Sequence, residues 1–516
     1  MALSLLDIAI CSAALLIFHW LSNRGSRRSS LPLPPCLPGL PVIGNLRDLQ
    51  ADENWLTFLQ WGKAYNSDLI RLRSLGTDFV FVNTLEVAVD LFDKRSSIYN
   101  DRPWYTMLND LVGFGWLITF IPYGDLWKDT RRSFHREIGP VGLKRFTNIE
   151  LAASRQLLRR LRSSPEVFMK HIRHMAGRII MRIAYGIEIK EENDAYIDIA
   201  EEAMQAFSAC TNAGSFLVDL IPIMKYLPEW SPGSGFKQLA KTWRAPVTAM
   251  LDRPFEFVKK HTELDDIPTC AAVSLREDMK KRDVDPAYAD YVAKATLASM
   301  YAGGADTTVS TLSSFILAMT LYPDVQVRAQ EEIDRVVGAG RLPDFSDRNS
   351  LPYVEAVVRE SLRWHPVLPI NVPHRLLQDD EYNGYFLPKG TVVIGNIWAM
   401  LHDPMVYPDP GAFKPERFLK DGVLDPTVRD PTVACFGFGR RLCPGRFLAK
   451  ESVWITVASL LATYKFSKAI GPDGKPLTPK EDYIPGSLSH PKPFACDMRP
   501  RSVECEALIM ASSNED

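Results

Sequence analysis

The sequence predicts a mainly α domain with a small β lobe, an α+β fold, preceded by one N-terminal transmembrane helix. Three observations lead there. From Trp127 to about Lys280, and again from Asp290 to Trp364, the chain is mostly helical in pattern, whereas β-forming segments are short and cluster around Gly76 and Tyr382. Hydrophobic residues at 46% and charged residues at 24% are average for a globular protein, so most of the chain folds in water. The exception is the near-continuous apolar run from Ala2 to Leu21, about the length that crosses a bilayer core.

Arg24, Arg27 and Arg28 follow that run directly, the reverse of a cleaved secretory signal, so the sequence predicts an uncleaved anchor over 2–22. Positive residues stay in the cytosol, which puts everything after Arg28 there and Met1 in the lumen. Asp7 sits near one end of the span, where its penalty falls below the roughly 2.5 to 3.5 kcal/mol of mid-bilayer. Prolines 32, 34, 35, 38 and 41 make 23–41 a stiff, extended spacer. A domain over 42–504 follows, with a solvated tail over 505–516. Within it, the segments flanking Gly76 read as a hairpin, Asp290 to Leu321 as a long helix closed by Pro323, and Tyr382-Asn383-Gly384-Tyr385 as a two-residue hairpin turn. Charges of 60 basic and 62 acidic residues leave a net −2, which gives no case for nucleic-acid binding. Eight cysteines without a CxxC pair fit neither a disulfide scaffold nor a tetrahedral zinc site.

The most informative stretch is Phe436 to Gly445, where Cys443 lies in a glycine-rich loop just before a helical run. A helix N-terminus lowers a thiol pKa, and its free N–H groups can point at the sulfur of a metal-bound cysteinate. Gly439 and Gly445 would let the backbone approach a flat cofactor, and Arg441 could pair with a carboxylate on its rim. Cys435 reads as an ordinary core thiol. Inside the long helix, Gly303 and Gly304 each cost roughly 0.8 to 1 kcal/mol relative to alanine, which demands a compensating reason. Helical spacing puts Gly303, Asp306 and Thr307 on one face, where a small ligand could lie; close helix packing is the other explanation. Glu360 and Arg363 form an i, i+3 pair, and Trp127 and Arg131 lie one turn apart, able to donate together to one carboxylate.

Phe436, Gly439, Arg441, Cys443 and Gly445 fill every fixed position of Phe-x-x-Gly-x-Arg-x-Cys-x-Gly, and the chain thereby resembles the cytochrome P-450 family. The resemblance implies that fold, with haem b bound and Cys443 as axial iron ligand. It implies that Asp306 and Thr307 form the acid–alcohol pair guiding protons, and that Glu360, Arg363 and Arg417 form a buried structural ion network. Trp127 and Arg131 would meet a haem propionate, joined by Arg441 and by either His374 or Arg375. Trp104 to Trp116, Phe207 to Tyr226 and Val367 to Val372 would surround the substrate. Texture such as Arg102-Pro103 looks most like fungal microsomal members of specialised metabolism. The activity implied is monooxygenation of a lipophilic small molecule, a terpenoid or polyketide first, an aromatic or indolic amine or a xenobiotic otherwise. No flavin or nicotinamide module is visible, so electrons are expected from NADPH through a separate cytochrome P-450 reductase, with cytochrome b5 as a further donor, at the endoplasmic reticulum membrane. A haem-thiolate isomerase or dehydratase would have little use for Asp306 and Thr307, and nothing resembles the output domain of a haem sensor.

Overall fold

The computed structural model describes residues 29–50, 52–212, 214–264 and 266–512. The predicted anchor over 2–22 lies outside them, and among the described residues no helix is long and apolar enough to cross a membrane.

The β lobe is built on the hairpin of β1 (Leu69–Ser74) and β2 (Thr77–Val82), with β3 (His374–Arg375) and β6 (Val392–Gly395) completing a sheet of order β1-β2-β6-β3. Among the strands of this sheet only the β2–β6 pairing is parallel. Between β3 and β6, β4 (Asp380–Tyr382) and β5 (Tyr385–Leu387) form the hairpin read from Asn383-Gly384, both of which take the positive φ that its tight turn requires. The proline-rich stretch is not a free spacer along its described length. The Pro35 carbonyl accepts from the Arg71 amide and that of Pro32 from Phe386, so the stretch is docked on the lobe.

The helical part follows the predicted order, with α1 (Asp125–Ile138), α2 (Thr147–Ser163), α3 (Phe168–Tyr185) and α4 (Ala195–Thr211) leading to the long α5 (Pro286–Leu321). Asp285 caps α5 through the Tyr288 amide, Pro286 occupies its first turn, and Pro323 follows its end. At 36 residues it runs about 54 Å through the centre of the molecule, and it is buried on nearly all sides. Next come α6 (Pro323–Val336), α7 (Pro352–Trp364) and α8 (Arg446–Thr463), which begins just after Cys443. The tail expected over 505–516 is instead largely α9 (Val503–Ala511): Ser502 caps its first turn, Ile509 is fully buried, and the Ser512 carbonyl accepts from Arg159. Ser502 with Glu504 and Glu506 was the available sequence signal for that helix start.

Candidate active site

A cavity of about 290 Å³ opens between the Cys443 loop and the glycine face of α5. Around Cys443 the chain is held by its own backbone: the Cys443 amide donates to the Phe436 carbonyl at 2.9 Å, and Gly437 and Gly439 take positive φ. Phe436 and Gly445 border the cavity as expected. Gly439 does not. A Cβ there would stand 2.1 Å from the Phe92 carbonyl oxygen, so the close contact with the helical turn Val89–Lys94 requires a glycine here. Cys443 opens onto the cavity, whereas Cys435 also reaches its wall. Burial pushes the Cys443 thiol up, while the Gly445 amide and the Arg131 and Arg446 guanidinium groups pull it toward the thiolate.

One end of the cavity collects donors without acids. Arg441 donates to the Asn100 carbonyl at 2.7 Å and lies 4.5 Å over the Trp127 ring, yet its Nη2 is buried with no partner. Burial lowers its pKa to about 9. Arg131, from the turn after Trp127 on α1, donates to the Leu442 carbonyl, and burial lowers its pKa as well. The sheet places His374 and Arg375, neighbours in β3, on opposite sides, and His374 is buried in the cavity wall while Arg375 is exposed. Burial holds the His374 imidazole well below its ordinary pKa, so it is neutral, and its Nδ1–H donates to the Tyr99 carbonyl at 2.7 Å.

Sequence reasoning took Arg102 only as family texture and gave it no place at the site. It is 4% exposed, borders the cavity, and donates to the carbonyls of Thr119, Val372 and Pro373. A single arginine next to proline carries no signal of such a position.

On α5 the two glycines have separate reasons. Gly303 opens onto the cavity and a Cβ there would meet nothing within 4 Å, whereas at Gly304 it would meet Ile180 of α3 at 2.9 Å. Thr307 borders the cavity, its hydroxyl donating to the Gly303 carbonyl at 2.7 Å. Asp306, expected on the same face, is absent from the wall. It is held by Arg173 at 3.0 Å and His490 at 3.1 Å, beside a separate pocket of about 10 Å³. Burial pushes its carboxyl up, but His490 and Arg173 outweigh burial and keep it below the ordinary carboxylate range. Neither partner was legible, because they lie 133 and 184 residues away.

Glu360, Arg363 and Arg417 do meet, away from the cavity. Arg363 makes two bonds to the Glu360 carboxylate at 2.7 and 2.8 Å, Arg417 reaches it at 3.2 Å, and Glu360 and Arg363 are fully buried. The expected substrate segments contribute less than predicted. None of Trp104 to Trp116 borders the cavity, and among the described residues from Phe207 to Tyr226 only Phe207 does, whereas Val367, Leu368 and Val372 do.

A sequence profile of the cytochrome P450 family matches residues 34–498, nearly all of this domain. The chain belongs to the cytochrome P450 family. It is similar to a cytochrome P450 monooxygenase of Armillaria gallica, 43% identical over 506 residues that cover 98% of each chain. It is 40% identical to a tryptamine 4-monooxygenase of Psilocybe cyanescens, covering 94% of this chain and 96% of the relative. It is 38% identical to a cytochrome P450 monooxygenase of Rhodocybe pseudopiperita, covering 97% and 95%. This P450 is thus a haem-thiolate monooxygenase. Its residues fit the haem: a loop thiol offers the iron ligand, and the partnerless Arg441 Nη2, with Arg131 and Trp127 beside it, suits the porphyrin carboxylates.

Proposed function

We propose that this P450 inserts one atom of dioxygen into a C–H bond of a lipophilic small molecule, the other atom leaving as water, in fungal secondary metabolism of the terpenoid or polyketide kind. The observation that carries the reading is one cavity that joins the Cys443 thiol, a glycine-opened helix with the Thr307 hydroxyl, and a largely aliphatic and aromatic wall. Haem held through Cys443 supplies oxygen activation, with thiolate donation favouring O–O cleavage over reversible carriage. Arg441, Arg131 and Trp127 orient the porphyrin by its acid groups, and His374 supports that end as a neutral ring. Thr307 Oγ1 carries a proton that it can pass on while the Gly303 carbonyl holds it in place, and Asp306 behind it connects to Arg173 and His490.

Electrons come from NADPH through a separate P450 reductase, with cytochrome b5 as a further donor; Arg440, Arg446 and Lys450 beside the loop offer a basic docking face. The endoplasmic reticulum membrane is the proposed location. An exposed apolar patch of Leu217, Ile223, Tyr226 and Trp230 supports contact with a lipid surface in addition to the anchor. The name of the Psilocybe relative favours a second reading, oxidation of an indolic amine.

The test is the carbon monoxide difference spectrum of the reduced full-length protein beside Cys443→Ser, followed by turnover under labelled dioxygen. A thiolate-type Soret band that vanishes in the variant, with one labelled oxygen in the product, is the expected result. Survival of the band without Cys443 overturns the ligand assignment, and unlabelled product overturns monooxygenation.

A further inference from the structure

The cavity wall contains no carboxylate. Among the described residues no aspartate or glutamate borders it, although Arg102, Arg131 and Arg441 do. Asp306, on the helix that forms the wall, is already paired with Arg173 and His490. Asp219 accepts from the Met107 amide at 2.7 Å and does not border the cavity either. An ammonium group entering this space would leave its hydration and find no counterion on the protein, the porphyrin carboxylates being met by Arg441, Arg131 and Trp127.

Several polar side chains of the wall keep an unspent donor, among them Asn371, whose Nδ2 is buried without a partner, and Ser299, which is fixed in place by a bond that it accepts. Ser299 of α5 is 3% exposed and borders the cavity, and its oxygen accepts from the Ile118 amide at 3.1 Å. The hydroxyls of Thr296, Thr307, Thr311 and Thr320 on the same helix each donate to the carbonyl four residues back, and that of Ser310 donates to the Ser489 carbonyl. Ser299 donates to no acceptor among the described residues, so its hydrogen is the free part. It offers a donor to whatever occupies the cavity.

We infer that the substrate is an uncharged, oxygen-bearing lipophile whose hydroxyl or carbonyl oxygen accepts from Ser299, and that cationic amines are rejected. The inference rests on the monooxygenase reading above and decides between its two substrate classes.

Equilibrium dialysis on the haem-loaded full chain tests it with matched probes: farnesol against farnesyltrimethylammonium, and tryptophol against N,N,N-trimethyltryptammonium. Quaternary ammonium is used because a free amine could bind the iron and conceal the effect of the wall. In each pair the alcohol should bind about a hundredfold tighter or more. Ser299→Ala should weaken farnesol about two- to tenfold and leave the hydrocarbon farnesene unchanged, and Ser299→Thr should retain farnesol. Equal or tighter binding of either ammonium overturns the proposal. So does failure of both alcohols to bind, or equal weakening of farnesol and farnesene in Ser299→Ala. Labelled-oxygen incorporation is scored separately: probes that sort as expected without labelled product would fail the monooxygenase reading and leave the wall's selectivity standing.

Discussion

His490 lies 3.1 Å from the Asp306 carboxylate, so a residue near the C-terminal end of the domain holds the acid of the central helix away from the cavity it was expected to face. With Arg173 on the other oxygen, the carboxylate is kept ionised in a buried setting. A depressed folded pKa stabilises above the ordinary carboxylate value of about 3.9 and loses that contribution as pH falls through the folded value. Asp306→Asn should therefore lower the Tm at neutral pH, by about 1 to 3 kcal/mol of stability, and the difference from wild type should close on acidification below about pH 4. Thermal melts across pH would show it.

Thr307→Ala tests the hydroxyl that does border the cavity. NADPH consumption should continue while product falls and peroxide rises, and Thr307→Ser should restore coupling. Unchanged coupling in the alanine variant would remove the proton-guiding role.

Glu150 on α2 is fully buried against Ser452 of α8, whose hydroxyl donates to one of its oxygens at 2.7 Å. The other oxygen has no partner. Burial raises this carboxyl to about 8, with Glu451 adding to the rise and Arg348 opposing it. The unfolded chain ionises the group from about pH 4.3, so stability should fall as pH rises from there to about 8 and then level off. In Glu150→Gln that slope should flatten, so the gain in Tm over wild type widens with pH.

Gly303→Ala and Gly304→Ala should move the Tm in opposite directions. The first adds a methyl in open space and gains the helix propensity of about 0.8 to 1 kcal/mol, at the cost of room in the cavity. The second forces Ile180, 2.9 Å away, to shift.

Arg363→Ala leaves the Glu360 carboxylate buried with only the 3.2 Å contact to Arg417 and the Lys414 amide. A loss of about 3 to 5 kcal/mol is expected, with haem content falling in step with the folded fraction and not ahead of it. Selective haem loss from a fully folded variant would contradict a structural role.

What the sequence made legible was local. The Cys443 loop is a contiguous pattern, and the Asn383-Gly384 turn and the proline-bounded long helix are set by neighbours in the chain. Position across the fold was not legible. The separate reasons for Gly303 and Gly304 depend on Ile180 of another helix, and the burial of His374 beside an exposed Arg375 depends on the alternation of a short strand within the sheet. The positions of Arg102 and His490 at the site were not legible for the same cause: each is defined by carbonyls or a carboxylate brought near only by folding.

The contact of Gly439 with the Phe92 carbonyl makes segments distant in sequence a single inheritance unit. Phe438 stacks on the Phe92 ring at 5.6 Å, and the Gly439 amide faces the Asp93 carboxylate, so the iron-ligand loop is shaped against this turn of backbone. Chimaeras assembled from related chains should therefore take residues 89–94 and 436–445 from the same parent. A crossover that separates them replaces one half of a fitted joint, and the distortion would reach the sulfur before it reached the substrate side of the molecule.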